Sequence, residues 1–133
     1  MTATRFPAVA GLFYPADAWQ LEQDVRHLLA SARLYDFKPK ALIVPHAGYV
    51  YSGAVAATAY ASLRAVAPII QRVVLLGPAH RVAVHGLALP GVDVFDTPLG
   101  HVKLDADLVN VIAHLPQVTI HRETHALEHS LEV

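Results

Sequence analysis

The sequence predicts a three-layer α/β fold with a mostly parallel sheet flanked by helices. Two continuous apolar runs, residues 41–44 and 73–76, are each followed by a proline or a glycine–proline pair. Such runs are typical of strands that are buried on both faces. Between them, apolar residues recur with helical spacing until Pro68. A strand–helix–strand unit of this length is a right-handed parallel crossover, so both strands end at the same edge of the sheet.

Composition is consistent with one domain spanning residues 1–133. The chain is 54% hydrophobic and 16% charged, which is apolar for a soluble domain and fits a sheet covered on both faces. A net charge of -1 without a basic run gives no basis for binding nucleic acid or a membrane surface. The absence of cysteine and of a signal-peptide pattern leads us to expect a cytoplasmic protein.

The first part of the chain predicts an extended segment, a helix and a strand. Prolines at positions 7 and 15 favour an extended start. Asp17 is a good helix N-cap, and Gln20 would complete a capping box before a helix with apolar residues on one face. The first apolar run follows, and the next helix is predicted to begin at Ser52 as its N-cap, with Val55 in its inward stripe.

The second part of the chain predicts shorter elements. Strands are expected at residues 86–89 and 92–97, with a turn at 98–100. Asp105 would cap a helix reaching about Leu115, and residues 118–120 form another short strand. Residues 121–128 are expected to be a polar segment, and residues 127–133 to begin a further helix.

Two histidines stand directly after the two predicted core strands. His46 follows Pro45, and His80 follows Gly77-Pro78-Ala79. Ligands bind beyond the carboxyl ends of strands in open parallel sheets. We therefore expect the two imidazoles to converge and to supply part of a metal site. Tyr49, Tyr51 and Ser52 follow His46 closely and are candidates to line the same pocket, although Tyr51 could equally pack in the core and Ser52 could merely cap the helix.

Five segments resemble the Memo family in the same order and at similar spacing. They are RFPAVAGLFYP, PHAGYVYSG, LLGPAH, FDTPLG and EHSLEV, and together they cover the chain from Arg5 to Val133. Bacterial members are often named component B of the AmmeMemoRadiSam system. The resemblance implies a fold similar to class III extradiol ring-opening dioxygenases, which hold non-haem Fe(II). Family members continue past the last motif into a second half that supplies further strands and metal-site residues, including a cysteine.

The resemblance also implies roles for particular residues. His46 and His80 would be metal ligands, most readily for Fe(II), with Zn or Cu as possibilities. His129 or His125 would transfer protons, and Glu128 would orient a ligand. The substrate would be a small aromatic molecule or a peptide. The partner of the chain would be a second copy of itself, or a chain that supplies the second half. The alternative is a non-catalytic module that recognises a peptide or protein through Tyr49 and Tyr51.

One further motif indicates a different chemistry. His125-Ala-Leu-Glu128-His129 matches the H-x-x-E-H pattern of inverted zinc peptidases, in which two histidines on one helix share a zinc ion. Those enzymes need a further ligand downstream, and only four residues follow His129. Of the remaining histidines, His27, His101 and His114 are expected at the surface, and His85 and His121 are undecided, with the surface favoured.

Overall fold

A computed structural model describes residues 2–133. Their contacts divide the chain into two units. One consists of residues 2–10 and 76–132, and the other of residues 11–75 with Val133. The strands are β1 (Thr4–Arg5), β2 (Leu87–Leu89), β3 (Val94–Thr97), β4 (Gly100–Lys103) and β5 (Val118–Ile120). The helices are α1 (Ala18–Ser31), α2 (Tyr49–Ala61), α3 (Ala106–Ile112) and α4 (Arg122–Ala126), with a 3-10 turn at Ala67–Ile69.

The unit of residues 11–75 is built on α1 packed against α2. Asp17 caps α1 as predicted, because its Oδ1 accepts a hydrogen bond from the Gln20 backbone at 2.8 Å. The Gln20 side chain donates to Asp24 instead of closing the capping box. Gly53 lets the two helices approach closely, since a Cβ there would lie 3.0 Å from a methyl group of Leu28.

Helix α2 begins three residues before the predicted N-cap. Gly48 occupies the N-cap position, and Ser52 lies inside the helix with its Oγ donating to the Ala47 carbonyl at 2.8 Å. The predicted inward stripe is also wrong, because Val55 is 62% exposed. The buried face instead consists of small residues, which allow α1 to pack closely: Ser52, Gly53, Ala57 and Ala61.

The two apolar runs that predicted buried core strands do not form strands in this structure. Residues 41–44 and 73–76 have no strand partner within residues 2–133. Val74 and Leu76 are 70% and 75% exposed, and Ile43 is fully exposed. An apolar run predicts burial, but a strand also needs a neighbour for its backbone hydrogen bonds. The position of that neighbour is not encoded in the run itself.

The other unit contains two sheets. In the first, β1 pairs parallel with β3, and β3 forms an antiparallel hairpin with β4 around the predicted turn. In the second, β2 pairs parallel with β5, and α4 packs against β2. Parallel and mixed sheets together with helices confirm the predicted α/β class.

Most predicted elements of this unit are present. Asp105 caps α3 by accepting from the Leu108 backbone at 3.0 Å, although α3 ends at Ile112 rather than near Leu115. The predicted strand at 118–120 is β5. Helix α4 lies in the segment that the sequence predicted only as polar, and residues 127–133 form turns instead of the expected helix. No helix within residues 2–133 has both the length and the apolar character needed to cross a membrane.

Candidate metal centre

The loop after the second apolar run lies against the segment near the chain's last motif. Ser130 Oγ donates a hydrogen bond to the Pro78 carbonyl at 2.8 Å. Gly77 makes this approach possible, because a Cβ at that position would lie 2.6 Å from Ser130 Oγ and 2.8 Å from a methyl group of Leu131. The contact brings the segment that carries His80 beside the segment that carries Glu128 and His129.

His80 and Glu128 form a carboxylate–imidazole pair. The Nδ1 atom of His80 lies 2.7 Å from Oε1 of Glu128. An ionised carboxylate only accepts hydrogen bonds, so His80 Nδ1 must carry the hydrogen. The lone pair of the neutral imidazole is then on Nε2. This is the arrangement by which proteins fix the tautomer and orientation of a metal-binding histidine.

Glu128 is buried and is held in its ionised form by its surroundings. Burial alone raises the pKa of the Glu128 carboxyl. Hydrogen bonds from the backbone and ring of His80, and from the backbone of Ser130 and His129, outweigh burial and hold that pKa well below its usual range. The donors at His129 and Ser130 lie 2.8 and 3.0 Å from Oε1. The carboxylate is therefore fixed before any ligand binds.

His129 lies against the ring of His80. The two ring centroids are 4.5 Å apart, and the planes are inclined by only 19°. A ligating nitrogen of one ring lies within 4.8 Å of one on the other. Both distances are compatible with two imidazoles that bind a single ion, since metal–nitrogen bonds are near 2 Å. Sequence reasoning gave His129 a proton-transfer role, whereas its position beside His80 also makes it a candidate ligand.

The remaining predicted site residues of the amino-terminal half lie in the unit of residues 11–75. Tyr49 packs against Tyr14 with ring centroids 5.8 Å apart. The pKa of the Tyr49 hydroxyl is raised, mainly because the group is buried and to a lesser extent because of the nearby Tyr60. Tyr51 is exposed, and Ser52 is buried. His46 is half-buried in the loop before α2. The pairing of His46 with His80 stays a prediction from the sequence.

His125 occupies a separate, buried position on α4. Its Nε2 lies 2.8 Å from the Ala88 carbonyl, which only accepts, so Nε2 carries a hydrogen. Its ring meets Phe95 edge-on with centroids 6.2 Å apart. Because α4 ends at Ala126, His129 is not on the same helix. The H-x-x-E-H pattern therefore lacks the helical geometry on which the peptidase interpretation depends.

Comparison with known proteins places these motifs in a family. The family described as Memo-like protein matches residues 5–133. The chain belongs to the Memo-like family. It is 40% identical over 129 residues to a MEMO1 family protein of Aquifex aeolicus, an alignment that covers 97% of this chain and 47% of the relative. It is likewise 40% identical over 149 residues to one of Methanocaldococcus jannaschii, covering 100% of this chain and 50% of that relative.

This Memo-like chain therefore spans about half the length of the curated relatives it matches. The two segments that meet at His80 and His129 coincide with two of the motifs that carried the resemblance, LLGPAH and EHSLEV. The first and last of the five motifs contain residues to which sequence reasoning gave no role. Arg5, in the first motif, and Glu132, in the last, are buried in this Memo-like protein and contact one another. The motif match was the available signal, but nothing in either segment alone indicated the contact.

Proposed function

We propose that this protein binds one divalent metal ion through His80 and His129, with His46 as a third ligand expected from the sequence, in the manner of proteins related to non-haem iron extradiol dioxygenases. The observation that carries the proposal is the His80–Glu128 pair, which fixes Nε2 of His80 as the ligating nitrogen. The stacked ring of His129 supplies a second imidazole beside it. His46 is the third member because its motif, PHAGYVYSG, resembles the family segment that implies a metal ligand there.

Imidazole ligands suit iron, zinc and copper, and we propose Fe(II) as the working metal because of the family relationship. A ferrous ion supplies, when bound, open positions for a small aromatic substrate and dioxygen. The protein's own residues bind and orient: Glu128 holds the His80 ring, and Tyr51, which is exposed, is our candidate for contacting substrate. His125 is our candidate for holding a proton, at the Nε2 atom that now donates to Ala88.

The experiment is metal analysis of protein purified without an affinity tag, followed by oxygen uptake with a panel of catechols. Stoichiometric iron and uptake with at least one catechol would support the dioxygenase-like function. Metal binding without uptake would restrict the protein to the metal-binding part of the proposal. Failure to bind Fe(II), Zn(II) or Cu(II) would contradict the proposal altogether.

The alternative function is a non-catalytic module that binds a peptide. The observation that favours it is an apolar groove of about 640 Å³ in the unit of residues 11–75. Its lining combines aromatic and aliphatic side chains, which suits a peptide's apolar side chains: Tyr35, Phe37, Ile43, Pro45, Ala54, Val55, Thr58 and Ala59. If the protein is such a peptide-binding module, His46→Ala would leave its function intact.

We also propose that the chain associates with a second copy, or with a chain that supplies the remaining half of the family length. The support is the apolar surface left by the unpaired segment that ends the unit of residues 11–75. Ile69, Val73, Val74 and Leu75 are all exposed there. Contiguous apolar surface of this kind usually marks an interface, and an unpaired extended segment offers a template for another strand.

A further inference from the structure

Arg5 donates hydrogen bonds to three different acceptors on the segment near the metal centre. Its side chain is 6% exposed. Nε donates to the His125 carbonyl at 3.1 Å, one terminal nitrogen donates to the Glu128 carbonyl, and the other pairs with the Glu132 carboxylate. The guanidinium also lies over the ring of Phe95, 5.3 Å from its centroid. Only arginine combines this fork of donors with a flat face that stacks on an aromatic ring.

Glu132 completes the pair from the other side. Its side chain is 2% exposed. Besides the contact with Arg5, its two carboxylate oxygens accept hydrogen bonds from the backbones of Ala8 and Val9, at 2.8 and 2.9 Å. The ion pair therefore ties the segment around β1 to the segment that follows α4. Both segments belong to the same unit.

A buried ion pair is costly to desolvate and is weak evidence for stability on its own. The role of the Arg5–Glu132 pair is therefore better looked for in how it positions the neighbouring chain. Regular helix ends at Ala126, and the residues that follow form turns with few backbone hydrogen bonds, such as Glu132 N–H to the His129 carbonyl at 2.9 Å. Arg5 binds carbonyls at positions 125 and 128 and the side chain at position 132, and so holds this stretch on both sides of His129.

We propose that Arg5 and Glu132 are positioning residues that hold Glu128 and His129 in the geometry that binds metal. The inference rests on the proposed metal-binding function. Without the pair, the segment after α4 keeps only its contacts with the loop that carries His80, so we expect the Glu128 carboxylate and the His129 ring to lose their alignment with His80. Neither Arg5 nor Glu132 touches the metal in this proposal.

The test compares zinc affinity by calorimetry in the full chain and in two variants, Glu132→Gln and Arg5→Lys. Removing groups that orient metal ligands typically weakens affinity about tenfold to hundredfold, and we expect each variant to lose about tenfold. Glu22→Gln is the matched control, because Glu22 pairs with Arg26 on the exposed surface of α1. That control should bind zinc as the unchanged protein does.

Loss of stability must be separated from loss of position. Val118→Ala removes buried apolar volume in β5 without touching the ion pair. We expect it to lower the melting temperature without changing zinc affinity well below the melt. The Co(II) absorption spectrum should also change in Glu132→Gln and not in Val118→Ala, because the spectrum reports ligand geometry.

The metal-free protein gives an independent result. The His80 and His129 rings are close enough for a nuclear Overhauser effect between their protons. We expect that signal in the unchanged protein and in Glu22→Gln, and its loss in Glu132→Gln. If the unchanged protein binds no metal, the proposed function fails. Loss of the His80–His129 signal in Glu132→Gln would even then support the positioning role. A Glu132→Gln protein that keeps the ring-to-ring signal would overturn the inference.

Discussion

The Nδ1 atom of His80 lies 2.7 Å from Oε1 of Glu128. The two residues come from distant parts of the sequence, and the carboxylate also accepts from the backbone of His129 and Ser130. Glu128 therefore both orients one candidate ligand and anchors the backbone of another.

Replacing Glu128 with glutamine should weaken zinc binding about tenfold to hundredfold, because the amide cannot hold the His80 ring as an ionised carboxylate does. Isothermal titration calorimetry with Zn(II) measures the effect. Glu123→Gln is the matched control, since Glu123 lies on the exposed face of α4. Equal affinities for the two variants would show that His80 is not oriented by Glu128 for metal binding.

Replacing His46 with alanine should reduce metal binding below what calorimetry detects. Two imidazoles would remain in a chain that has no cysteine to replace the third ligand. His85→Ala is the control, because His85 is an exposed histidine outside the candidate set. Tight, stoichiometric binding that survives His46→Ala would show that the metal site lies elsewhere in the chain.

Self-association should appear in light scattering as a mass above the 14.4 kDa of one chain at micromolar concentration. Val74→Lys should shift the mass toward that of one chain, because it places a charge in the exposed apolar segment. His114→Lys, on the exposed surface beyond α3, is a control that should not change the mass. A sharp cooperative melt of a 14.4 kDa species would contradict the proposed association.

Gly86→Ala should destabilise the protein more than Gly100→Ala. Both glycines have positive φ, at 81° and 118°, and a side chain in left-handed backbone costs about 1–2 kcal/mol. At Gly86, the new Cβ would also lie 2.2 Å from the Gln117 carbonyl oxygen, whereas nothing lies within 4 Å at Gly100. Urea unfolding followed by circular dichroism compares the two, and equal losses would contradict the clash.

Helix caps, a short strand and a turn could be predicted from the sequence, because residues close together in the chain decide them. Asp17 and Asp105 cap their helices as predicted, because an N-cap acts on a backbone group only three residues away. Strand β5 and the hairpin turn were predicted from short-range patterns as well. The α/β class and the family followed from the pattern and the motifs taken together.

The sequence by itself thus determined the Asp17 and Asp105 caps, strands β2, β3 and β5, and the family. Tertiary structure alone decided that His129 stacks on His80 and that Arg5 pairs with Glu132. It also decided that the apolar run at residues 73–76 has no strand partner within residues 2–133. The reason is physical: a cap or turn is satisfied within a few residues, whereas strand pairing and buried ion pairs need groups from distant segments, whose positions no local pattern encodes.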